Sequence, residues 1–398
     1  MSAPKISLSD ARRVDLDWVR IAAFGLLIFY HVGMLYVSWG FHIKSDHRLT
    51  WLEPAMLLVN PWRLSLLFLV SGAATRFMLG KYALGSLVCA RTARLLIPVV
   101  FGMLVIVPPQ SYDQILESVG YRAGFLDFYM KHYLAFGPQF CPTPCILLPT
   151  WNHLWFVAYL WVYTLALAAL LALRLDLQKS FDRLFGGTGA LWVPLAWLLV
   201  FQVLLFRRGE ETHDLIGDGI AHLAYFPAFL FGFGLAGSRV TMAAFARMWL
   251  PCAVLALAGY AVVAGVEAAY PGFAMPSRAI AELFRVAREV QTWASIAALI
   301  GLAERFLNHD HQWRAMLTEA VFPFYIIHQT AIVLGEYWLL PLHLHPAAEF
   351  AILVAGTWGA CWAFYLAGRE IGWLRPLIGL LAKPARSARE AASASGVA

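Results

Sequence analysis

The residues best suited to chemistry are an arginine and a histidine in one apolar stretch, Arg20 and His31. Eleven helical steps of about 100° bring the two side chains to within about 20° of one helix face, about 16 Å apart along the axis. An ionisable side chain at membrane depth is a candidate functional residue. A neutral imidazole there could take a proton from a hydroxyl. The alternative is a histidine that only hydrogen-bonds a neighbouring helix.

A pair of arginines, Arg91 and Arg94, opens a later apolar run. Their i,i+3 spacing places them on one helix face. Two guanidinium groups suit phosphate, which they bind through paired hydrogen bonds. The alternative is anchoring at the basic side of a membrane.

Further polar and aromatic side chains lie in or beside apolar runs and are candidates for contacting an acceptor or supporting the site: Arg63, Ser71, His153, Trp155, Tyr325 and His328. Each has a structural alternative: helix packing for the Ser71-Gly72 pair, an interfacial aromatic belt for the tryptophans, and an interhelical hydrogen-bond network for Tyr325 and His328. The chain shows no metal-ligand spacing and no nucleotide-binding or hydrolase motif, so we expect no metal and no bound cofactor.

The elements that must position these residues are membrane helices. Hydrophobic residues make up 61% and charged residues 14% of the 398 residues, and mean hydropathy is +0.66. Such a composition predicts an all-α, polytopic transmembrane bundle in the lipid bilayer. The net charge of +6 lies in short loops between apolar runs and does not indicate nucleic-acid binding.

Ten apolar runs have span length: 18–38, 55–79, 92–108, 152–173, 190–206, 219–236, 249–269, 287–304, 316–340 and 348–368. An even number of spans places both termini on one side. With that side cytoplasmic, two-thirds of the 30 lysines and arginines face the cytoplasm, as the positive-inside rule requires. The sequence therefore predicts a cytoplasmic N-terminus over 1–17, a membrane domain over 18–374 and a cytoplasmic tail over 375–398.

The outer segments are expected to carry structure of their own. The long aromatic loop 109–151 is more typical of a packed cap or binding surface than of a linker. Within it, Cys141 and Cys145 could form a disulfide or remain free thiols. The charged segment 270–289 could form an interfacial helix.

Five motifs, in order over roughly 13–370, resemble the acyltransferase-3 family of integral membrane acyltransferases. They are the Arg20–His31 spacing, the Phe-rich helix with Ser71-Gly72, the R-x-x-R at 91–94, His-Leu-Trp-Phe at 153–156 and Pro-x-Tyr-x-x-His at 323–328. Within the family, Leu16-Asp17-Trp-Val-Arg20 and Asn152-His153-Leu-Trp-Phe are most similar to the succinyltransferases of osmoregulated periplasmic glucans. Ala73 departs from the family, which commonly has an aromatic residue after Ser-Gly.

The resemblance implies transfer of a succinyl or acetyl group from cytoplasmic succinyl-CoA or acetyl-CoA to hydroxyls of an extracytoplasmic glycan, at the bacterial inner membrane. In it His31 is a general base or carries the acyl group briefly, Arg20 supports the site, and Arg91 and Arg94 bind the donor. Three alternatives remain: O-acetylation of lipopolysaccharide or another surface polysaccharide, proton-coupled transport, and a structural role in an envelope-synthesis complex.

Overall fold

The computed structural model describes residues 13–141, 145–174, 176–205, 211–272 and 274–382. The parts of the predicted termini at 1–12 and 383–398 lie outside the described residues. The helices of the first half are α1 (Val14–Gly33), α2 (Glu53–Met56), α3 (Asn60–Leu79), α4 (Leu84–Phe101), α5 (Pro108–Val119), α6 (Phe125–Lys131) and α7 (Trp155–Ala172). Those of the second half are α8 (Leu177–Phe185), α9 (Gly189–Leu199), α10 (Gly219–Leu235), α11 (Arg239–Ala269), α12 (Arg278–Phe306), α13 (Arg314–Leu339), α14 (Pro346–Glu370) and α15 (Leu374–Leu377). One short antiparallel hairpin joins β1 (Gly137–Phe140) to β2 (Ile146–Leu148).

Each of the ten predicted apolar runs is helical, which confirms a helical membrane bundle. Among the described residues, seven helices are long and apolar enough to cross a membrane. An eighth span results if α8 and the helix after it, bent by 92°, are one broken crossing. Helix α10 has 17 residues and is shorter than these spanning helices. Its length is about 26 Å at 1.5 Å per residue. The count of ten spans and the cytoplasmic placement of both termini stay predictions.

The charged segment 270–289 is helical from Arg278 onward, as predicted, but this helix is the beginning of a longer one. Residues from Arg278 onward form the first turns of α12, which continues without a break to Phe306. The charged side chains Arg288 and Glu289 therefore belong to a long bundle helix, and Glu289 is buried. Because charge lowers local hydropathy, the beginning of α12 could not be recognised from apolar character alone.

The centre of the bundle contains a close crossing of α3 and α10. A methyl group at Gly72 would come within 1.9 Å of the Phe229 carbonyl oxygen. One at Gly232 would come within 1.8 Å of the Leu69 carbonyl oxygen. Only glycine permits backbones to approach so closely. Packing, the alternative given for Ser71-Gly72, is thus confirmed for Gly72.

Residues 108–141 and 145–150 form a packed cap, as predicted for the aromatic loop. Ile115, Phe128, Tyr133 and Leu148 are fully or almost fully buried in a small cluster of their own. The Tyr133 hydroxyl donates to the carbonyl of Met103 at 2.7 Å, which joins the cap to the bundle. A disulfide links the two cysteines of the hairpin, Cys141 and Cys145.

The loop after α1 folds back over the end of that helix. Lys44 Nζ donates to the carbonyls of Met34 and Val37, both at 2.7 Å, and so satisfies acceptors at the helix C-terminus. Burial lowers the pKa of Lys44 to about 8. Ser45 Oγ donates to Glu349 Oε1 of α14 at 2.7 Å. These bonds fix loop 34–49 beside His31.

Candidate active site

Two histidines from distant parts of the chain meet in the bundle. His31 of α1 and His328 of α13 stack with ring centroids 5.1 Å apart and an interplanar angle of 9°. His31 Nδ1 lies 2.9 Å from His328 Nε2. His328 is fully buried, whereas His31 is half-buried. The pair is therefore a hydrogen-bonded unit with only one member open to a ligand.

The backbone determines where the protons of this pair lie. His328 Nδ1 is 2.8 Å from the Tyr325 carbonyl oxygen, which can only accept, so Nδ1 carries the hydrogen. In the neutral ring, Nε2 of His328 then accepts from His31 Nδ1. The remaining nitrogen of a neutral His31, Nε2, is thereby left with its lone pair. This is the arrangement that a general base requires.

A third imidazole stands against the same pair. His153 packs edge-on against His328, with centroids 5.1 Å apart. Its Nε2 donates to the Ile326 carbonyl at 3.0 Å, and the Tyr325 hydroxyl donates to the His153 carbonyl. Among the residues that the structure describes, the buried Nδ1 of His153 has no hydrogen-bond partner. It is a second lone pair available to a ligand hydroxyl.

His31 and His153 line a cavity of about 1470 Å³, here named the His31 cavity. Its walls mix aromatic rings with polar groups, as in sites for polar organic ligands. Among the predicted residues it includes His31, Arg63, His153, Trp155 and Tyr325. His328 lies behind His31 and supports it. Ser71 is absent from the lining, which instead contains Ser65 of the same helix.

An amide network extends the site beneath the cap. Gln329 Nε2 lies 2.7 Å from His42 Nε2, and His42 Nδ1 lies 2.9 Å from Gln114 Oε1. Gln110 Oε1 accepts from Asn152 Nδ2 at 3.1 Å and from Gln329 Nε2 at 3.3 Å. The chain of bonds ties α5, α13 and loop 34–49 together around the cavity. Such a network holds the surrounding side chains in fixed positions.

Arg63 places a positive charge in the wall of the His31 cavity. Its guanidinium lies over the Tyr30 ring, 3.6 Å from the centroid. Its Nη1 donates to the carbonyl and side-chain oxygens of Asn60 at 3.1 and 3.0 Å. The buried Nε has no partner among the described residues. Arg63 can therefore bind an anionic group in the cavity.

Another part of the lining contains residues that the sequence did not indicate as site residues. The Tyr225 hydroxyl donates to Glu211 Oε1 at 2.6 Å. Arg288 and Glu289 of α12 also line the cavity. The His213 ring stacks on Trp155 with centroids 4.0 Å apart, so one face of that indole is already covered. The charge of segment 270–289 was visible in the sequence, but no signal linked Arg288 and Glu289 to Glu211 or Tyr225, because these positions meet only when three segments fold onto one space.

The remaining predicted residues form a separate basic cluster. Arg91 is buried and close enough to Arg20 and Arg94 to experience their charges. Arg20 Nη2 donates to the Thr318 carbonyl at 3.0 Å, and Arg94 Nε donates to the Gly379 carbonyl at 3.2 Å. None of the three lines the His31 cavity. Arg20 thus stands with the expected donor-binding arginines, about 16 Å along α1 from His31.

The chain is similar to one protein family over most of its length. A family model described as an acyltransferase domain matches residues 13–366. The chain belongs to the acyltransferase-3 family. No curated protein and no solved structure matches it. Membership of the acyltransferase-3 family makes the protein a membrane acyltransferase, and the match gives no support to the transporter alternative.

Proposed function

We propose that this acyltransferase-3 protein moves an acyl group from a cytoplasmic acyl-CoA-type donor to a hydroxyl of an extracytoplasmic glycan. One observation carries the proposal: hydrogen bonds to His328 leave His31 Nε2 as an acceptor beside a large cavity with aromatic and polar walls. A histidine held in this form is suited to activating a hydroxyl for attack on a thioester.

The basic cluster gives the proposal its direction across the membrane. With both termini cytoplasmic and ten crossings of the bacterial inner membrane, the start of α1 faces the cytoplasm and His31 lies farther out. Arg91 and Arg94 then bind the phosphates of the donor. Arg20 lies beside them and supports this donor-binding end of the site. The His31 cavity receives the acceptor from the other side.

The chemical step needs one base and one nucleophile. The acceptor hydroxyl oxygen attacks the thioester carbonyl carbon while His31 Nε2 takes the hydroxyl proton. The tetrahedral intermediate collapses, the carbon–sulfur bond breaks, and the coenzyme A thiolate leaves. The proton on His31 returns to that sulfur, giving an ester and free thiol. His153 Nδ1 can accept a hydrogen bond from a second hydroxyl of the sugar and so orient the first.

Transfer by purified full-length protein in lipid nanodiscs tests the proposal. The substrates are radiolabelled succinyl-CoA or acetyl-CoA and periplasmic glucan. We expect His31→Ala to lower kcat by about 10²–10⁴-fold, the usual contribution of general acid–base catalysis. His309→Ala, at an exposed histidine outside the cavity, is the matched control. Full activity of a folded His31→Ala protein would refute the mechanism.

Arg63 supports the finer proposal of a succinyl donor, as in glucan biosynthesis protein C. Its guanidinium faces the cavity and can pair with the free carboxylate of a succinyl group. We expect Arg63→Gln to lower kcat/KM for succinyl-CoA about tenfold or more and to spare acetyl-CoA. An equal loss with both donors would favour O-acetylation of another surface glycan.

A further inference from the structure

A second cavity, of about 480 Å³, adjoins the His31 cavity. The two share Ser65, Leu198, Ala224 and Thr292. The rest of its lining comes from α7 to α10 and α12 and is almost wholly apolar, with residues such as Leu170, Phe181, Val193, Leu230, Phe233 and Ile296. The His31 cavity therefore adjoins, across these four side chains, a second cavity, here named the apolar cavity, that offers hydrocarbon contacts.

The apolar cavity also reaches the outside of the bundle. Leu184 and Trp197 line it and are 53% and 39% exposed. Both belong to the α8–α9 segment, where the chain bends by 92°. In a membrane protein, exposed apolar side chains on the flank of a bundle face lipid chains. The bent segment thus borders a lateral opening from the bilayer.

The paired cavities select for an amphipathic ligand. Sugar hydroxyls find partners beside His31, Arg63 and Glu211 but none among the leucines and phenylalanines of the apolar cavity. A hydrocarbon chain has the opposite preference, because the apolar side chains offer it packing contacts and no polar group that would have to be desolvated. A ligand with a polar head and a long apolar chain satisfies both parts at once.

We propose that the glycan acceptor is carried on a lipid, whose hydrocarbon chain occupies the apolar cavity while its sugar lies beside His31. This inference rests on the proposed acyl transfer and specifies its acceptor. It favours a lipid-linked polysaccharide or its precursor over a free, water-soluble glucan.

Acceptor competition in nanodiscs tests the inference. The probes are glucosyl phosphate on a polyprenol, the same head group on geraniol, and free glucan. We expect kcat/KM for the polyprenyl acceptor to exceed that for the geranyl acceptor by about tenfold or more. Equal values for the three acceptors would overturn the lipid-borne acceptor and leave the acyl transfer itself intact.

Variants that narrow the apolar cavity test whether the preference for the polyprenyl acceptor arises there. Val193→Trp fills it from α9, and Ala228→Phe fills it from α10 if the first variant does not fold. Either should raise KM for the polyprenyl acceptor about tenfold and leave the geranyl acceptor unchanged. Ala196→Trp, on the exposed side of α9 and outside the lining, is the control. Loss of both acceptors in parallel would contradict the proposal.

Crosslinking separates this inference from the proposed function. A polyprenyl phosphoglucose with a diazirine at the chain end should label peptides of α9 or α10, with or without a donor present. Labelling without any acyl transfer would refute the proposed function and support the lipid site. Equal displacement of the probe by phosphatidylglycerol would show that the cavity holds ordinary membrane lipid, and would overturn the proposal.

Discussion

His328 provides the sharpest test of how the site works, because it is a positioning residue that does not line the cavity. Its Nε2 accepts from His31 Nδ1 at 2.9 Å. Replacing it with leucine leaves the hydrogen on His31 Nδ1 without an acceptor, because that hydrogen points at the fully buried position 328. An unsatisfied buried donor costs about 1–3 kcal/mol. Part of this cost can be avoided if His31 moves its proton to Nε2, the tautomer that cannot act as the base.

At 1.36 kcal/mol for each factor of ten, we expect His328→Leu to lower kcat by about 5- to 150-fold. KM for the donor should change little, since the arginine cluster lies elsewhere. His328→Gln is the matched variant, because its side-chain oxygen can accept the same hydrogen bond and should recover most of the rate. The pH profile of kcat should shift in the leucine variant, as the base has lost its partner.

The assay is transfer of a radiolabelled acyl group by protein whose folding is checked by gel filtration and thermal unfolding. A folded His328→Leu protein with unchanged kcat would refute the assignment of the tautomer. An equally strong loss in the leucine and glutamine variants, with unchanged pH profiles, would show that His328 only fills space.

Three further outcomes test the fold and the two ends of the path. Gly232→Ala should cost at least about 3 kcal/mol of stability, because its methyl would meet the backbone of α3. Gly359→Ala is the control and should be neutral, because the space around Gly359 is open. The fraction of monodisperse protein and its Tm measure the two effects. Burial raises the pKa of Asp113 in the cap to about 7 from its ordinary 3.8, so the native state holds this proton more tightly than the unfolded chain, and stability should fall as pH rises from about 4 through 7. Asp113→Asn should reduce the drop in Tm between pH 5 and 8 by a few degrees; an unchanged drop would contradict the burial argument. Replacing Arg91 and Arg94 by glutamine should raise KM for acyl-CoA about 10–100-fold and spare a short thioester without the nucleotide; equal losses with both donors would exclude phosphate binding.

The sequence by itself determined the class of the protein. Helical membrane segments were recognisable because span length and hydropathy are local properties of the chain. The residue types and helical spacing of His31 and of the R-x-x-R pair are likewise fixed by the covalent order, and they carried the prediction of a base and of a phosphate-binding pair. The ordered motifs predicted the acyltransferase-3 family, which the family match confirms.

Only the tertiary structure decided which groups act together. His31 and His328 are 297 residues apart, and no periodicity in either helix indicates that the other will supply its partner. The contact of Arg20 with the Thr318 carbonyl of α13 likewise joins groups that are far apart in the chain. The wall with Glu211 and Glu289 is built from segments that have no local signal in common. Hydropathy predicts how deep in the membrane a residue lies, whereas packing determines which groups it faces. The chemistry of the site depends on those neighbouring groups.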